Sequence, residues 1–128
     1  MTRTRAGSDS GSAAVEFALI VPLLLLIVLG IAEFGRAYNI QLALSAAARE
    51  GVRVMAIENN PGAARTATKA AAPAVAPAIT DAQITISPAT CVAGASTRLT
   101  VTYQLEFLTD LIGDGPMLTG VGVMRCNG

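Results

Sequence analysis

The chain has 128 residues, enough for one small domain, and its nine basic and nine acidic side chains give no net charge. A balanced charge offers no basic surface, so the composition argues against nucleic-acid binding. The sequence contains no histidine and only two cysteines, which leaves few candidate ligands for a metal and few activated nucleophiles. We therefore predict no metal, no cofactor, no small-molecule substrate and no enzymatic activity.

The first predicted element is a membrane-spanning helix. Residues 17–32 contain no charged side chain, and residues 13–32 contain only Glu16. At a rise of 1.5 Å per residue, about 20 apolar residues just cross a bilayer core of about 30 Å. Residues 23–29 are apolar on every helix face, which fits surrounding lipid better than an amphipathic soluble helix. Pro22 predicts a mild kink without a break.

Three interpretations of this segment remain open. A secretory signal peptide would be cleaved after Ala32, releasing a soluble domain. A plain signal anchor would leave Glu16 as an unexplained carboxylate at the membrane edge, where an unpaired charge is costly. In the third interpretation, a free amine created four residues upstream on a neighbouring subunit neutralises Glu16 during assembly.

The residues around Glu16 favour the third interpretation. Gly11 precedes the sequence SAAVEF, which places Glu16 fifth after a glycine and against the apolar run. This arrangement resembles a prepilin peptidase site. From Gly11 to about Ala56 the sequence resembles the TadE-like family, which comprises small pilin-like proteins of the tight-adherence pilus and its secretion machinery.

The resemblance implies cleavage after Gly11 on the cytoplasmic side and N-methylation at the new amine of Ser12. It also implies partners: the inner membrane, prepilin peptidase, other pilin-like subunits and the pilus assembly platform. Family members often carry basic residues directly before the glycine, whereas here the arginines lie further back, at Arg3 and Arg5. An uncleaved, membrane-anchored periplasmic adaptor of the same machinery is therefore the alternative.

The helix is predicted to continue to Ile57, because residues 33–57 are mostly strong helix formers. One helical arc is expected to face protein and contains Phe34, Tyr38, Ala48, Val52, Met55 and Ala56. Gln41, Ser45 and Arg49 form a polar stripe that marks either a subunit contact or a partly solvated face. The sequence NNPG at residues 59–62 predicts the helix end.

A small β-rich region is predicted after the helix. Residues 63–72 are expected to form a short helix, followed by an alanine- and proline-rich linker. Residues 98–107 alternate strictly between apolar and polar side chains, which predicts a strand with one buried face. Residues 84–87 are its expected hairpin partner and residues 118–125 a third strand. Gly120 and Gly122 in that third strand mark a bulge or close packing against the helix.

Cys91 lies in the predicted turn between the first two strands and Cys126 at the end of the last strand. A three-stranded sheet could bring them together, so we predict a disulfide between them. Disulfides persist outside the cytoplasm, which places the carboxy-terminal domain outside the bacterial inner membrane and the amino terminus in the cytoplasm. The membrane segment has arginines on both sides, at Arg3 and Arg5 before it and at Arg36 after it. Their charges therefore say little about the orientation of the segment in the membrane. Asp110 and Asp114 lie in a loop that is explained by a turn, since its spacing matches no calcium-binding loop.

The predicted fold class is therefore α+β, with a long amino-terminal helix whose upper half packs on a small antiparallel sheet. The predicted regions are a cytoplasmic leader (1–11), a transmembrane half of the helix (12–32) and an extracytoplasmic helix (33–60). A short helix and linker (61–81) and a disulfide-closed β-rich subdomain (82–128) complete the chain.

Overall fold

The computed structural model describes residues 9–110 and 112–127 and has the predicted α+β fold. Helix α1 (Asp9–Glu58) is followed by helix α2 (Pro61–Ala70), a 3₁₀ turn (Asp81–Gln83), and strands β1 (Ile84–Ser87), β2 (Ser96–Glu106) and β3 (Asp114–Arg125). The described residues divide into two compact units, the first ending at Gly35 and the second beginning at Arg36. Most of the predicted leader, including Arg3 and Arg5, lies outside the described residues.

Helix α1 continues through Pro22 and ends at Glu58. The residues that follow explain why it ends there. Asn59 adopts a left-handed conformation, with φ of 50°, which stops the helix. Asn60 then caps α2, because its side-chain oxygen accepts hydrogen bonds from the backbone N–H groups of Gly62 and Ala63. Pro61 occupies the first turn of α2, where its missing N–H costs nothing. Helix α2 therefore starts two residues before the predicted position.

In the second unit, one face of α1 is buried, and its members are Ile40, Leu44, Ala47, Ala48, Gly51, Val52, Met55 and Ala56. The predicted arc is correct at its upper end but wrong for Phe34 and Tyr38, whose side chains are 75% and 60% exposed. The buried face begins only where the sheet covers the helix. The buried face also includes small side chains such as Ala47. The periodicity of the bulky residues alone did not identify them.

The three strands form one antiparallel sheet in the order β1-β2-β3. Ile84 pairs with Val101, and Arg98 pairs with Val123. The alternation predicted for β2 is confirmed: its inward side chains are buried and are Leu99, Val101, Tyr103 and Leu105. Strand β3 begins four residues earlier than predicted, since an edge strand tolerates Pro116 without a backbone N–H.

The predicted linker contributes to the core. It has little regular secondary structure, yet the side chains of Val75 and Ile79 are only 4% and 5% exposed. The hydroxyl of the buried Tyr103 donates a hydrogen bond of 2.9 Å to the carbonyl oxygen of Pro77. Burial raises the pKa of Tyr103 above its ordinary value. Residues 72–79 therefore cover one part of the sheet instead of acting as a free connection.

Candidate processing and assembly site

The predicted cleavage site lies in the first turns of α1. Gly11, Ser12 and Glu16 are all exposed and helical. A β-carbon added at Gly11 would meet no atom of the described residues within 4 Å. Ser12 and Glu16 are four residues apart, so they lie one above the other on the same face of the helix.

The apolar segment after Glu16 has no protein partner among the described residues. Its large side chains are exposed, for example Phe17 at 70%, Leu19 at 72% and Leu26 at 61%. Each such side chain would gain about 1.5–3 kcal/mol on removal from water. Within the described residues, α1 is the one helix that is long and apolar enough to cross a membrane. The exposed segment suggests single-pass membrane anchoring.

Within the second unit, two polar contacts join the upper part of α1 to the sheet and its loops. At one end, the guanidinium of Arg36 donates a hydrogen bond of 2.6 Å to the carbonyl oxygen of Glu106. At the other end, the backbone N–H of Cys91 donates a 2.6 Å hydrogen bond to the side-chain oxygen of Asn59. These contacts fix the position of the sheet along the helix.

One predicted contact residue is used within the chain. The side-chain amide of Gln41 donates a hydrogen bond of 2.8 Å to the carbonyl oxygen of Thr119 in β3. Ser45 donates to the carbonyl oxygen of Gln41 one turn earlier, at 2.9 Å. Arg49 is exposed. The lower part of the polar stripe thus joins helix to sheet, a role that the helical periodicity alone did not show.

A disulfide joins Cys91 and Cys126, whose Cα atoms are 5.6 Å apart. Two backbone hydrogen bonds join Cys126 to the loop that follows Cys91: Cys126 donates to the carbonyl oxygen of Ala95 at 2.8 Å, and Gly94 donates to that of Cys126 at 3.2 Å. The bridge closes a loop with a sequence separation of 35 residues. It ties the residue that follows β3 to the loop between β1 and β2.

The loop between β2 and β3 forms a small cleft of about 310 Å³, lined by Glu106, Phe107, Asp110, Gly113 and Asp114. Calcium requires six to eight oxygen ligands, usually including several carboxylates. Among the described residues, no group of three or more acidic, cysteine or histidine side chains is arranged to hold a metal ion.

These features define an α+β domain on a long helix whose exposed apolar part suggests membrane anchoring. The family model described as TadE-like protein matches residues 11–53, about a third of the chain. The match confirms the resemblance seen in the sequence, and it suggests a pilin-like protein associated with the tight-adherence pilus. TadE-like pilus proteins are structural components and not enzymes. No curated protein and no solved structure matches the chain.

Proposed function

We propose that this chain is a pilin-like subunit, either a minor pilin or a pseudopilin, of a tight-adherence type IV pilus or its secretion machinery. The observation that carries the proposal is the extent of the TadE-like match, which starts at Gly11 and includes Glu16 and the whole apolar segment. Prepilin peptidase removes residues 1–11 on the cytoplasmic side of the inner membrane. The disulfide-closed domain lies outside it.

The mechanism is assembly through a charge pair. Cleavage leaves the amine of Ser12 as the new amino terminus, and Glu16 lies four residues further on. Four helical residues span about 6 Å, so parallel neighbours offset by about 6 Å along the helix axis bring the amine of one beside the carboxylate of the other. Because a lone charge in lipid is costly, pairing favours the assembled state over the separate subunit.

The alternative is an uncleaved adaptor that remains anchored beside the machinery. One observation favours it: the Gly11–Ser12 bond lies inside α1, which already begins at Asp9. A peptidase must reach this backbone, and helical hydrogen bonding limits that access. In the adaptor, Glu16 extends toward the headgroups and pairs with no subunit.

Intact mass measurement and amino-terminal sequencing of the protein, purified from its own membranes, distinguish the cleaved subunit from the uncleaved adaptor. A chain that starts at Ser12 supports the subunit. A chain that starts at Met1 or Thr2 supports the adaptor. A chain that starts at Glu33 contradicts both and indicates a secreted domain.

A matched pair of glycine variants tests whether peptidase recognition requires Gly11. Neither Gly11 nor Gly30 has an atom of the described residues within 4 Å of an added β-carbon, so a larger side chain fits at both positions. Gly11→Leu is expected to abolish processing, and Gly30→Leu is expected to leave it intact. Equal processing of the two variants would contradict cleavage at Gly11.

A further inference from the structure

Strand β3 has a free edge. It is the last strand in the sheet order β1-β2-β3, so only one of its two sides pairs with β2. On the other side, the carbonyl oxygen of Thr119 accepts the hydrogen bond from Gln41. Backbone groups two residues apart point to the same side of a strand, so those of Met117, Val121 and Val123 also line the free edge. No other hydrogen bond within the described residues reaches this side of β3.

The side chains along this edge are apolar and exposed. Those of Met117 and Val123 are 60% and 54% exposed, and Val121 between them is also exposed. Proteins usually protect an edge strand with charges or a short length, because a free apolar edge pairs readily with another chain. The free edge of β3 therefore has the properties of a site for an added strand.

Helix α1 runs directly beneath β3. Gly120 lies against the backbone of Leu44, and Gly122 lies against that of Ala48. Two strand residues and four helical residues both advance about 6 Å, so strand and helix run side by side in the same direction. The flank of α1 next to the free edge therefore follows β3 along its length.

This flank of α1 can be assigned from two contacts. Gln41 reaches the free edge of β3, whereas Arg36 reaches β2 from another side of the helix. Going round the helix from Gln41 away from Arg36, at about 100° per residue, the next exposed side chains of the second unit are Tyr38, Arg49 and Leu42. We call the free edge of β3 together with these three helix residues the edge surface.

Three arginines surround the upper half of the edge surface. Arg98 pairs with Val123 in the sheet register, and Arg125 lies two residues further along β3 on the same face. Arg49 follows the helix residue against which Gly122 packs. Within the described residues, none of the three guanidinium groups forms an ion pair or a hydrogen bond. Their positive charge is available to a partner.

We propose that the edge surface binds an extended, acidic segment of a partner protein, which adds a fourth strand to the sheet beside β3. The backbone of this segment hydrogen-bonds to the free groups of residues 117–123, a pairing about 20 Å long. Its apolar side chains pack beside Leu42 and Met117. Its carboxylates bind Arg49 and Arg125, since charge-assisted hydrogen bonds to arginine are the strong ones.

The charges along β3 also orient the segment. Glu106 pairs with Asp114 at the other end of the strand and repels an acidic segment there. The edge surface lies wholly in the second unit. The proposal therefore depends neither on cleavage at Gly11 nor on a charge pair at Glu16, and its failure leaves the proposed function standing.

A synthetic peptide tests the proposal. The probe is a fluorescein-labelled peptide of about eight alternating valine and glutamate residues, long enough to pair with residues 117–123. A peptide that alternates valine and lysine is the charge control. Fluorescence anisotropy measures the binding of each peptide to the full-length protein in a non-ionic detergent. We expect the glutamate peptide to bind and the lysine peptide not to bind.

Arginine variants locate the site. Arg49→Gln is expected to weaken binding of the glutamate peptide by roughly 1.5- to 5-fold, the range for one exposed ion pair. Arg125→Gln should weaken it by a similar factor. Lys69→Gln is the matched control, because it removes the same charge from α2, where Lys69 pairs with Asp81 outside the edge surface.

Methylation of the peptide backbone tests strand addition. In an added strand, alternate N–H groups face β3 and the others face away from it. One peptide carries methyl groups on the backbone nitrogens of all its valines, and another carries them on those of all its glutamates. Only one of the two should lose binding, because only one set of nitrogens faces β3.

Four outcomes would overturn the proposal. If the glutamate peptide does not bind, or binds no better than the lysine peptide, the edge surface does not select an acidic segment. Equal weakening by Arg49→Gln and Lys69→Gln would place binding elsewhere. Equal effects of the two methylation patterns would exclude a fourth strand. If the protein without peptide is a dimer that Val121→Pro dissociates, a second copy and not an acidic partner occupies the edge, since proline removes an edge N–H.

Discussion

Gly120 of β3 lies directly against the backbone carbonyl group of Leu44 in α1. A β-carbon at position 120 would overlap the Leu44 oxygen, and one at Gly122 would overlap the oxygen of Ala48. These glycines let β3 approach the helix closely, which confirms the packing alternative predicted for them. The register shift that β2 and β3 do show is elsewhere, between Gln104 and Glu106.

Gly120→Ala is therefore expected to lower the free energy of unfolding by about 1–3 kcal/mol, the usual cost of overpacking. The helix backbone must move to make room, since the obstacle is a carbonyl group and not a flexible side chain. Thermal denaturation of the full chain in detergent, followed by near-ultraviolet circular dichroism of the buried Tyr103, measures the change. Thr119→Ala changes an exposed neighbouring residue and should lower the free energy of unfolding less. Equal losses of stability in the two variants would contradict the close-packing explanation.

Reduction of the disulfide is expected to lower the free energy of unfolding by about 3–4 kcal/mol, from the entropy of closing a loop of this size. The native contacts should persist, because backbone hydrogen bonds hold Cys126 to Gly94 and Ala95. Denaturation of the same protein under oxidising and reducing conditions measures the difference. The double variant Cys91→Ala and Cys126→Ala should match the reduced protein and lose its sensitivity to reductant.

Asn59 has two roles that substitutions separate. Its left-handed backbone ends α1, and its side-chain oxygen binds the N–H of Cys91. Asn59→Gly keeps the backbone conformation but loses the hydrogen bond, at a cost of about 0.5–1.5 kcal/mol. Asn59→Ala adds a left-handed penalty of roughly 1–2 kcal/mol. Asn59→Asp keeps both features. Denaturation should therefore find Asn59→Asp the most stable of the three variants, Asn59→Gly intermediate and Asn59→Ala the least stable. A different order would contradict one of the two roles.

The ammonium group of Lys69 lies 2.8 Å from the carboxylate of Asp81, and this hydrogen bond lowers the pKa of Asp81 below its ordinary value. The folded state then binds the proton more weakly than the unfolded state. The stabilisation is fully present above the unfolded pKa and is lost as the pH falls through the folded pKa. Because both side chains are exposed, the contribution is small and screened by salt.

Carboxyl NMR titration of Asp81 measures this effect directly. Lys69→Met should raise the pKa of Asp81 back toward the ordinary range. Arg65→Met should raise it less, because Arg65 makes the smallest contribution and acts only through its charge. An unchanged pKa in Lys69→Met would contradict the ion pair.

Glu16→Gln is expected to impair pilus assembly without affecting membrane insertion or the folded domain. Glu16 lies in the first unit, whereas the core and the disulfide lie in the second. Recovery of the protein in sheared pili, compared with its amount in membranes, measures assembly. Glu58→Gln, at the exposed upper end of α1, is the matched control. Assembly of Glu16→Gln at the level of this control would contradict the charge pair.

The sequence predicted strand β2 well because successive side chains along it alternate between the buried and the solvated face of the sheet. It predicted α1 because a long apolar run and strong helix formers leave few alternatives. Phe34 and Tyr38 were placed wrongly, because periodicity identifies a helix face but not where along the helix a neighbour covers it. The burial of Val75 and Ile79 was missed, since a proline-rich segment carries no pattern that shows whether it packs.

For the candidate site, the sequence by itself determined the features that are local in the chain. Gly11, Ser12, Glu16 and the apolar run lie within about 20 residues, and their order along one helix sets their spacing. Composition likewise determined the balanced charge and the scarcity of metal ligands.

Only the tertiary structure decided which distant residues meet. It joined Arg36 to Glu106 and Gln41 to Thr119, contacts that depend on how the sheet lies along α1. Close approach of β3 at Gly120 fixes that position, because backbone packing and not a side-chain pattern determines the distance between helix and strand.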